Sequence, residues 1–201
     1  MSVIGCPPPG AGQDEAECVM GEANAVREHV TIYGGVACPT VIGNHNLLMI
    51  ASQIGAGAKL GDHGIFDNCT KIGAGAVIED YVRMSGFAAV AEGVRVGAYA
   101  FVAGYAGVAS DSPPYAMLQG YPVRVRGLNT RNLKACGFGE DDIHALKAAF
   151  REVFNGRGQE IKRDALERLA ADPDANSYVR KLTDALKAAL ARPGAKDGGD
   201  D

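Results

Sequence analysis

The sequence predicts a parallel β-helix of about five coils, built from six-residue repeats and followed by a C-terminal α-helical domain. One apolar residue recurs at every sixth position from Ile42 to Val108, twelve times without interruption. A small residue usually lies two positions earlier, as Ala58 does before Leu60. The repeat ends near Asp111, and beyond it apolar residues recur with helical spacing. A period of six fits neither a helix nor a single strand, so it indicates a repeat protein.

Three repeats are expected to form one triangular coil, with the large and small residues pointing inward and coils stacked about 4.8 Å apart. Glycines such as Gly43, Gly61 and Gly73 follow many apolar residues, and we expect them in tight turns with positive φ. A β-sandwich of short strands is the alternative, but so long an unbroken register favours the solenoid. The pattern resembles the hexapeptide repeats of left-handed β-helices. This resemblance implies the left hand, whereas general crossover rules favour the right.

The repeats are expected to span residues 18–111, because a ten-residue step from Ile42 back to Ile32 extends them toward the N-terminus. That step places four extra residues in a corner loop that starts at Tyr33. The loop is either a passive bulge or part of a binding face. Residues 1–17 are expected to form an extended arm that caps the first coil, since their three consecutive prolines permit neither a helix nor a central strand.

The repeat is expected to stop at Pro113 and Pro114, so residues 112–128 are predicted to be an irregular connector. A helical domain is expected over residues 129–191. Residues 192–201 are predicted to be disordered, because they are rich in Gly, Lys and Asp. The expected helices are a short one capped by Asn129 or Thr130 and ending at Gly137, and three more at 140–154, 160–171 and 176–191.

Composition argues against several classes of function. The net charge of −4 and the absence of a basic stripe argue against nucleic-acid binding. No apolar run approaches the roughly 18 residues of a membrane span, and the N-terminus lacks the features of a signal peptide. The five cysteines are odd in number and form no CxxC motif, which favours reduced thiols and a cytoplasmic location. No metal site and no cofactor is expected.

Five segments are more distinctive than the repeats. They are, in order, Gly43–Ile50, Gly107–Tyr115, Gln119-Gly120, Gly127–Asn129, and Gly137-Phe138 with Ile143–Leu146. In this order and spacing they resemble the acyl-carrier-protein-dependent UDP-N-acetylglucosamine O-acyltransferases that begin lipid A synthesis. The resemblance covers about residues 2–190. It implies a homotrimer whose partners are an acyl carrier protein, an acyl chain and a UDP-sugar.

The groups that carry the family's chemistry are absent from the matching positions. The resemblance places the general base at Ala56, which has no ionisable side chain. The positions of other family histidines are Tyr33, Gln53, Gly75 and Ala91, and those of an arginine pair are Ala135 and Cys136. Glu92 replaces the usual glutamine and could act as a base only in a buried setting. Under this resemblance, the candidate substrate-binding residues are Gln53, Asn68, Gly104 and Asn129.

Four aromatic residues are spaced one coil apart, at His45, His63, Tyr81 and Tyr99. They are expected to stack at one corner as a ladder of rings about 4.8 Å apart. The ladder is either a platform for a flat ligand, or a two-histidine metal site at a trimer seam, or a stack that stiffens the corner. The stiffening role is favoured, because the three converging histidines of a metal enzyme on this fold are missing.

Two functions follow from different classes of protein. One is a non-catalytic or altered-specificity trimer that binds an acyl chain or a sugar nucleotide. The alternative is an active acyltransferase that moves an acyl group from a carrier protein to a UDP-amino sugar with a relocated base. The missing histidine favours the first function, because a base poised near neutral pH contributes about 10²–10⁴ in rate.

Overall fold

The computed structural model describes residues 1–12, 15–154 and 160–192. Short parallel strands wind into a left-handed β-helix, and four α-helices follow it. The strands form three sheets of six, five and seven strands, one on each face of a triangular prism. The predicted fold class is confirmed, with about six turns rather than five, because a strand is added at each end of the repeat region.

The strands of each sheet are separated by one coil in the sequence. The first sheet contains β1 (Val3–Cys6), β4 (Thr31–Tyr33), β7 (Gln53–Ile54), β10 (Lys71–Ile72), β13 (Ala89–Val90) and β16 (Gly107–Val108). The second contains β2 (Cys18–Met20), β5 (Thr40–Ile42), β8 (Lys59–Leu60), β11 (Val77–Ile78) and β14 (Arg95–Val96). The third contains β3 (Ala25–Val26), β6 (Leu47–Leu48), β9 (Ile65–Phe66), β12 (Arg83–Met84), β15 (Phe101–Val102), β17 (Ala116–Gln119) and β18 (Arg124–Leu128).

The core is a column of the apolar residues that recur at every sixth position. Ile54 pairs with Ile72 and Ile72 with Val90, so equivalent side chains lie directly above one another. Each is at most 3% exposed. The residue before each one points outward, as Lys59 does before the buried Leu60. The predicted inward register is therefore confirmed.

Three corners connect the sheets. Corner I joins the first sheet to the second and contains residues 55–58, 73–76 and 91–94. Corner II joins the second to the third at residues 43–46, 61–64, 79–82 and 97–100. Corner III joins the third to the first at residues 49–52, 67–70, 85–88 and 103–106.

The reason predicted for the repeated glycines is wrong. Gly43, Gly61 and Gly73 do not have positive φ. They are needed because the next coil approaches closely: a Cβ at Gly61 would collide with the Asp80 carboxylate, and one at Gly73 would lie 2.6 Å from the Glu92 amide nitrogen. Positive φ occurs instead at other positions, including non-glycine residues throughout corners II and III.

The segment predicted to be an irregular connector, 112–128, instead contains two strands. Ala116 and Leu118 are buried, and β17 extends the third sheet because Val102 pairs with Leu118. The step from Val102 to Leu118 is two residues shorter than the step from Met84 to Val102, so the prediction lost the register there. β18 then pairs antiparallel with β17.

The arm at the N-terminus is extended, and Val3–Cys6 forms the outermost strand of the first sheet. The prolines follow this strand and do not interrupt it. The Ser2 hydroxyl donates a hydrogen bond to the Arg27 carbonyl and accepts one from the Val30 amide, which fastens the arm to the first coil.

Four helices cover the C-terminal end: α1 (Thr130–Ala135), α2 (Glu140–Val153), α3 (Arg163–Ala171) and α4 (Ser177–Ala191). Asn129 caps α1, as expected, and Asn176 caps α4. α3 begins three residues later than predicted, because Phe154 and Ile161 form a β-bridge before it. Arg192 is described, whereas the rest of the predicted disordered tail lies outside the described residues.

Leu60→Asp tests the register. The substitution places an unpaired charge in a dry core, so we expect the free energy of unfolding to fall by about 3–5 kcal/mol. Urea unfolding followed by circular dichroism measures it. Lys59→Asp is the matched control, because the adjacent side chain is exposed and should lose little stability. Equal stability of the two variants would contradict the register.

Candidate functional site

Corner I holds the position at which the resemblance places the general base. The Ala56 carbonyl accepts a hydrogen bond of 2.9 Å from the Gly75 amide, and the Ala74 carbonyl accepts an equal one from the Gly93 amide. Residues 56, 74 and 92 therefore stack on successive coils. The structure brings together Ala56 and Gly75, the two positions at which the resemblance places a general base and a second histidine, and no side chain at either can accept a proton.

Glu92 is the only carboxylate of the corner I ranges. Its side chain is exposed, and it makes no hydrogen bond or ion pair with the described residues. The burial that a carboxylate base requires is therefore absent within one chain. The Arg192 guanidinium reaches this corner, where it donates a 3.2 Å hydrogen bond to the Gly93 carbonyl and a 2.9 Å bond to the Asp111 carboxylate.

Corner I also contains a thiol that the sequence argument did not consider. Cys38 is exposed in the inserted loop, and its sulfur lies 3.0 Å from where a Cβ on Gly57 would be. Positions 38 and 56 are one coil apart in the sequence, and this spacing could have revealed the neighbourhood.

Corner III contains two of the candidate substrate-binding residues. Asn68 is exposed, and its side-chain oxygen accepts a hydrogen bond of 3.2 Å from the Ile50 amide. Gly104 lies at the equivalent position two coils further on, where an added Cβ would be 3.3 Å from the Gly86 carbonyl. These positions form one column along the corner.

An exposed aromatic pair lies beside that column. The rings of Phe87 and Tyr105 stack with centroids 5.1 Å apart and are 54% and 75% exposed. Sequence analysis missed this pair, although its spacing of one coil is the signal that revealed the other ladder. Exposed aromatic pairs of this kind favour a binding or assembly surface.

The outer face of the first sheet connects corners III and I, and we call it the first-sheet wall. Its outward residues on successive strands are Gln53, Lys71, Ala89 and Gly107. The ring of Tyr121 covers Gly107, since a Cβ on that glycine would collide with the ring. The structure thus places Gln53 on the wall between Ala56 and the Asn68–Gly104 column.

Asn129 does not join this group. It lies beside corner II, is 6% exposed, and donates a 2.9 Å hydrogen bond to the Tyr99 carbonyl while capping α1. Asn132 donates in the same way to the Tyr81 carbonyl at 3.1 Å. Both amides therefore fasten α1 to the β-helix. Within one chain, Asn129 is committed to structure rather than free for a ligand.

Other positions at which the resemblance places family side chains lie in β4 and at the end of α1. Tyr33 is half-buried in β4, and its carbonyl accepts a hydrogen bond from the Thr40 hydroxyl. Ala135 and Cys136 lie at the end of α1. Burial raises the pKa of the Cys136 thiol, and the nearby Arg83 opposes this shift.

The aromatic ladder at corner II has the predicted stacking. Centroids are 4.9 Å apart for His45 and His63, 4.7 Å for His63 and Tyr81, and 4.8 Å for Tyr81 and Tyr99. The two imidazole planes lie within 4° of parallel, so their lone pairs do not converge on one ion. No group of three or more metal-ligating side chains occurs in the part of the chain that the structure describes.

The ladder continues further than predicted. Tyr115 stacks on Tyr99 at 5.9 Å, and Phe138 and Tyr178 of the helical domain meet these rings edge-on. Exposure decreases along the ladder, from the exposed His45 to Tyr115, which is 1% exposed. These contacts favour a structural role, and the ligand role stays a prediction.

Over residues 1–12, 15–154 and 160–192, no helix is both long and apolar enough to cross a lipid bilayer.

The chain is similar in sequence to proteins of a single enzyme family. A sequence profile described as UDP-N-acetylglucosamine O-acyltransferase, domain 2, matches residues 111–194. An acyl-[acyl-carrier-protein]–UDP-N-acetylglucosamine O-acyltransferase from Caulobacter vibrioides is 40% identical over 195 residues, which cover 94% of this chain and 73% of the relative. One from Rippkaea orientalis is 47% identical over 171 residues, covering 84% and 61%.

Solved structures of the same family are also similar to this chain. The UDP-N-acetylglucosamine acyltransferase of Arabidopsis superposes with a TM-score of 0.84 at 28% identity, over 94% of this chain and 68% of that one. The O-acyltransferase of Moraxella catarrhalis gives 0.84 at 29%, over 93% and 74%. The chain spans 61% and 56% of the length of two of the curated relatives it matches.

Tyr115→Phe tests the burial of the ladder. Burial raises the pKa of Tyr115 above its ordinary value of 10.0, so the folded state keeps the phenol neutral where the unfolded state ionises it. The stability contributed by this difference is complete below pH 10 and is lost as pH rises further. We expect wild type to lose up to about 1.4 kcal/mol per pH unit relative to the variant above that pH.

Urea unfolding at intervals from about pH 8 to pH 11 provides the measurement. Tyr105→Phe is the matched control, because it removes the same hydroxyl from a side chain that is 75% exposed. Parallel curves for wild type and Tyr115→Phe would show that the phenol is not desolvated.

Proposed function

Because the chain belongs to the UDP-N-acetylglucosamine O-acyltransferase family, we propose that it is a non-catalytic or altered-specificity member that binds an acyl chain or a sugar nucleotide. The observation that carries this proposal is corner I, where Ala56 and Gly75 stand on adjacent coils without a proton acceptor. The coils around Ala56 stack regularly, and the proposal rests on the absence of an ionisable side chain at that position.

The missing group is the one that acyl transfer to a hydroxyl needs. The hydroxyl must lose its proton as it attacks the thioester carbonyl, and a histidine poised near neutral pH takes that proton in a typical base-catalysed transfer. Alanine cannot take it. Loss of the base alone corresponds to about 10²–10⁴ in rate.

The ligands proposed come from the names of the relatives, which specify an acyl-[acyl-carrier-protein] and UDP-N-acetylglucosamine. We propose that this chain uses the same classes of partner, in or beside the lipid A pathway. Corner III supports an apolar ligand, because Phe87 and Tyr105 expose a continuous aromatic surface next to Gly104. We also propose a cytoplasmic location, which five free thiols support.

A homotrimer is the assembly we propose. The exposed Phe87–Tyr105 pair gives corner III the apolar character of an interface.

The second candidate function is an active acyltransferase with a relocated base. The position of Glu92 favours it, because this carboxylate lies in the same corner I column as Ala56, two coils further on. A neighbouring copy that buried Glu92 would supply the desolvation that a single chain lacks.

Light scattering tests the assembly. We expect a mass three times that of the 20.9 kDa chain at micromolar concentration. Phe87→Glu should shift the mass toward the monomer, because it places a charge within an apolar contact while leaving the solenoid core intact. A monomeric wild type would contradict the proposed trimer, and Lys59→Glu on the second sheet serves as the control.

A transfer assay with 3-hydroxyacyl carrier protein and UDP-N-acetylglucosamine tests the chemistry. We expect turnover at least about 10²-fold below that of a histidine-containing relative. Ala56→His alone should restore little, because the matching positions around it also lack their partners. Robust turnover by wild type would refute the non-catalytic proposal, and loss of that turnover in Glu92→Gln would then support the relocated base.

A further inference from the structure

Lys71 is the one charged outward residue among β4, β7, β10, β13 and β16 of the first-sheet wall. It pairs in register with Gln53 below and with Ala89 above. Asn68 precedes it by three residues and Ala74 follows it by three, so corners III and I both lie within about 10 Å along the chain. The ammonium group is therefore central to the candidate site.

The side chain of Lys71 is exposed and makes no hydrogen bond or ion pair with the described residues. On the second sheet Arg95 pairs with Glu79 at 3.0 Å, whereas Lys59 makes no hydrogen bond or ion pair with the described residues, so what distinguishes Lys71 is its position on the first-sheet wall. The carboxylate of Asp67, four residues before Lys71, is 3.4 Å from the Ser85 hydroxyl instead. Glu92 lies at corner I, one coil further on, without a partner among these residues.

The surroundings of Lys71 leave room for a ligand. The next outward residue along the wall is Ala89, whose small side chain leaves space beside Lys71, and the Tyr121 ring covers the wall only at Gly107, one strand further on. Lysine presents three donors on a flexible stem and binds phosphate as a point charge. Ala135 and Cys136, at the end of α1, supply no such charge.

We propose that Lys71 is a ligand-binding residue that holds the phosphate of the bound substrate. This inference rests on the proposed function, because it assumes that the wall is where the ligand lies. A phosphate can come from two sources, the diphosphate of a UDP-sugar or the phosphate of the carrier protein's phosphopantetheine arm. The ammonium group contributes binding only, and no proton transfer is assigned to it.

Isothermal titration calorimetry on the full chain distinguishes the sources with two matched ligand pairs. UDP is compared with uridine, and an acyl-phosphopantetheine with the corresponding acyl-pantetheine. We expect Lys71→Gln to weaken binding of the phosphate-bearing member of one pair about tenfold and to leave its phosphate-free partner unchanged. The affected pair identifies the source.

Two further variants separate a specific contact from general electrostatics. Lys71→Arg keeps the charge and should bind within about threefold of wild type. Lys59→Gln removes the equivalent exposed lysine of the second sheet and should have no effect. Equal weakening by Lys59→Gln, or unchanged binding in Lys71→Gln, would overturn the assignment and leave the proposed function standing. Failure of all four ligands to bind wild type would overturn both.

Discussion

The structure depends on hydrogen bonding between coils at a fixed step along the chain, the step that leads from Ile54 to Ile72 and on to Val90. Amides in and beside the strands bond to carbonyls of the next coil, as Gln53 does to Thr70 at 2.9 Å and Gly55 to Ile72 at 2.8 Å, and equivalent side chains are thereby stacked. The regular coils depart from the step at two places, and the N-terminal strand β1 joins β4 with a register shift between Ile4 and Cys6. Four extra residues leave through the loop after Tyr33, and two are missing just before β17. The core therefore continues from Ile32 to Leu118 without interruption.

Stacking also decides what the surface can do, because each outward position recurs as a column. Corner II contains a ladder of aromatic rings that ends against the helices. Corner III contains an amide side chain, glycines and an exposed aromatic pair. At corner I the column formed by residues 56, 74 and 92 has few functional groups. Ala56 and Glu92 lie outside the buried core cluster, so substitutions there remove no side chain of the core. Residues in a surface column can therefore change while the stacked core stays the same.

Sequence periodicity predicted the elements that repeat and missed those that do not. The inward position of Ile54 and the stacking of His63 could be predicted from the spacing alone, because a fixed step leaves one position for each. β17 and β18 were missed because two absent residues shift the register before Ala116. Phe87 and Tyr105 were overlooked although their spacing was visible. The exposure of Glu92 and the structural use of Asn129 required coordinates, because both depend on contacts far away in the chain.

The two ends of the β-helix differ in how many elements pack against them, and this difference sets the order in which the coils should unfold locally. The last strands at both ends have a strand neighbour on one side only, as β2 and β3 do at the N-terminal end and β14 and β16 at the C-terminal end, but β18 and the helices cover the C-terminal coils. Stability in a stack of coils is a sum of neighbour contacts, so the coil with the fewest is released most readily. Amide exchange should progress as a front from the first coil toward the helices, and the aromatic ladder lies at the slow end of that gradient.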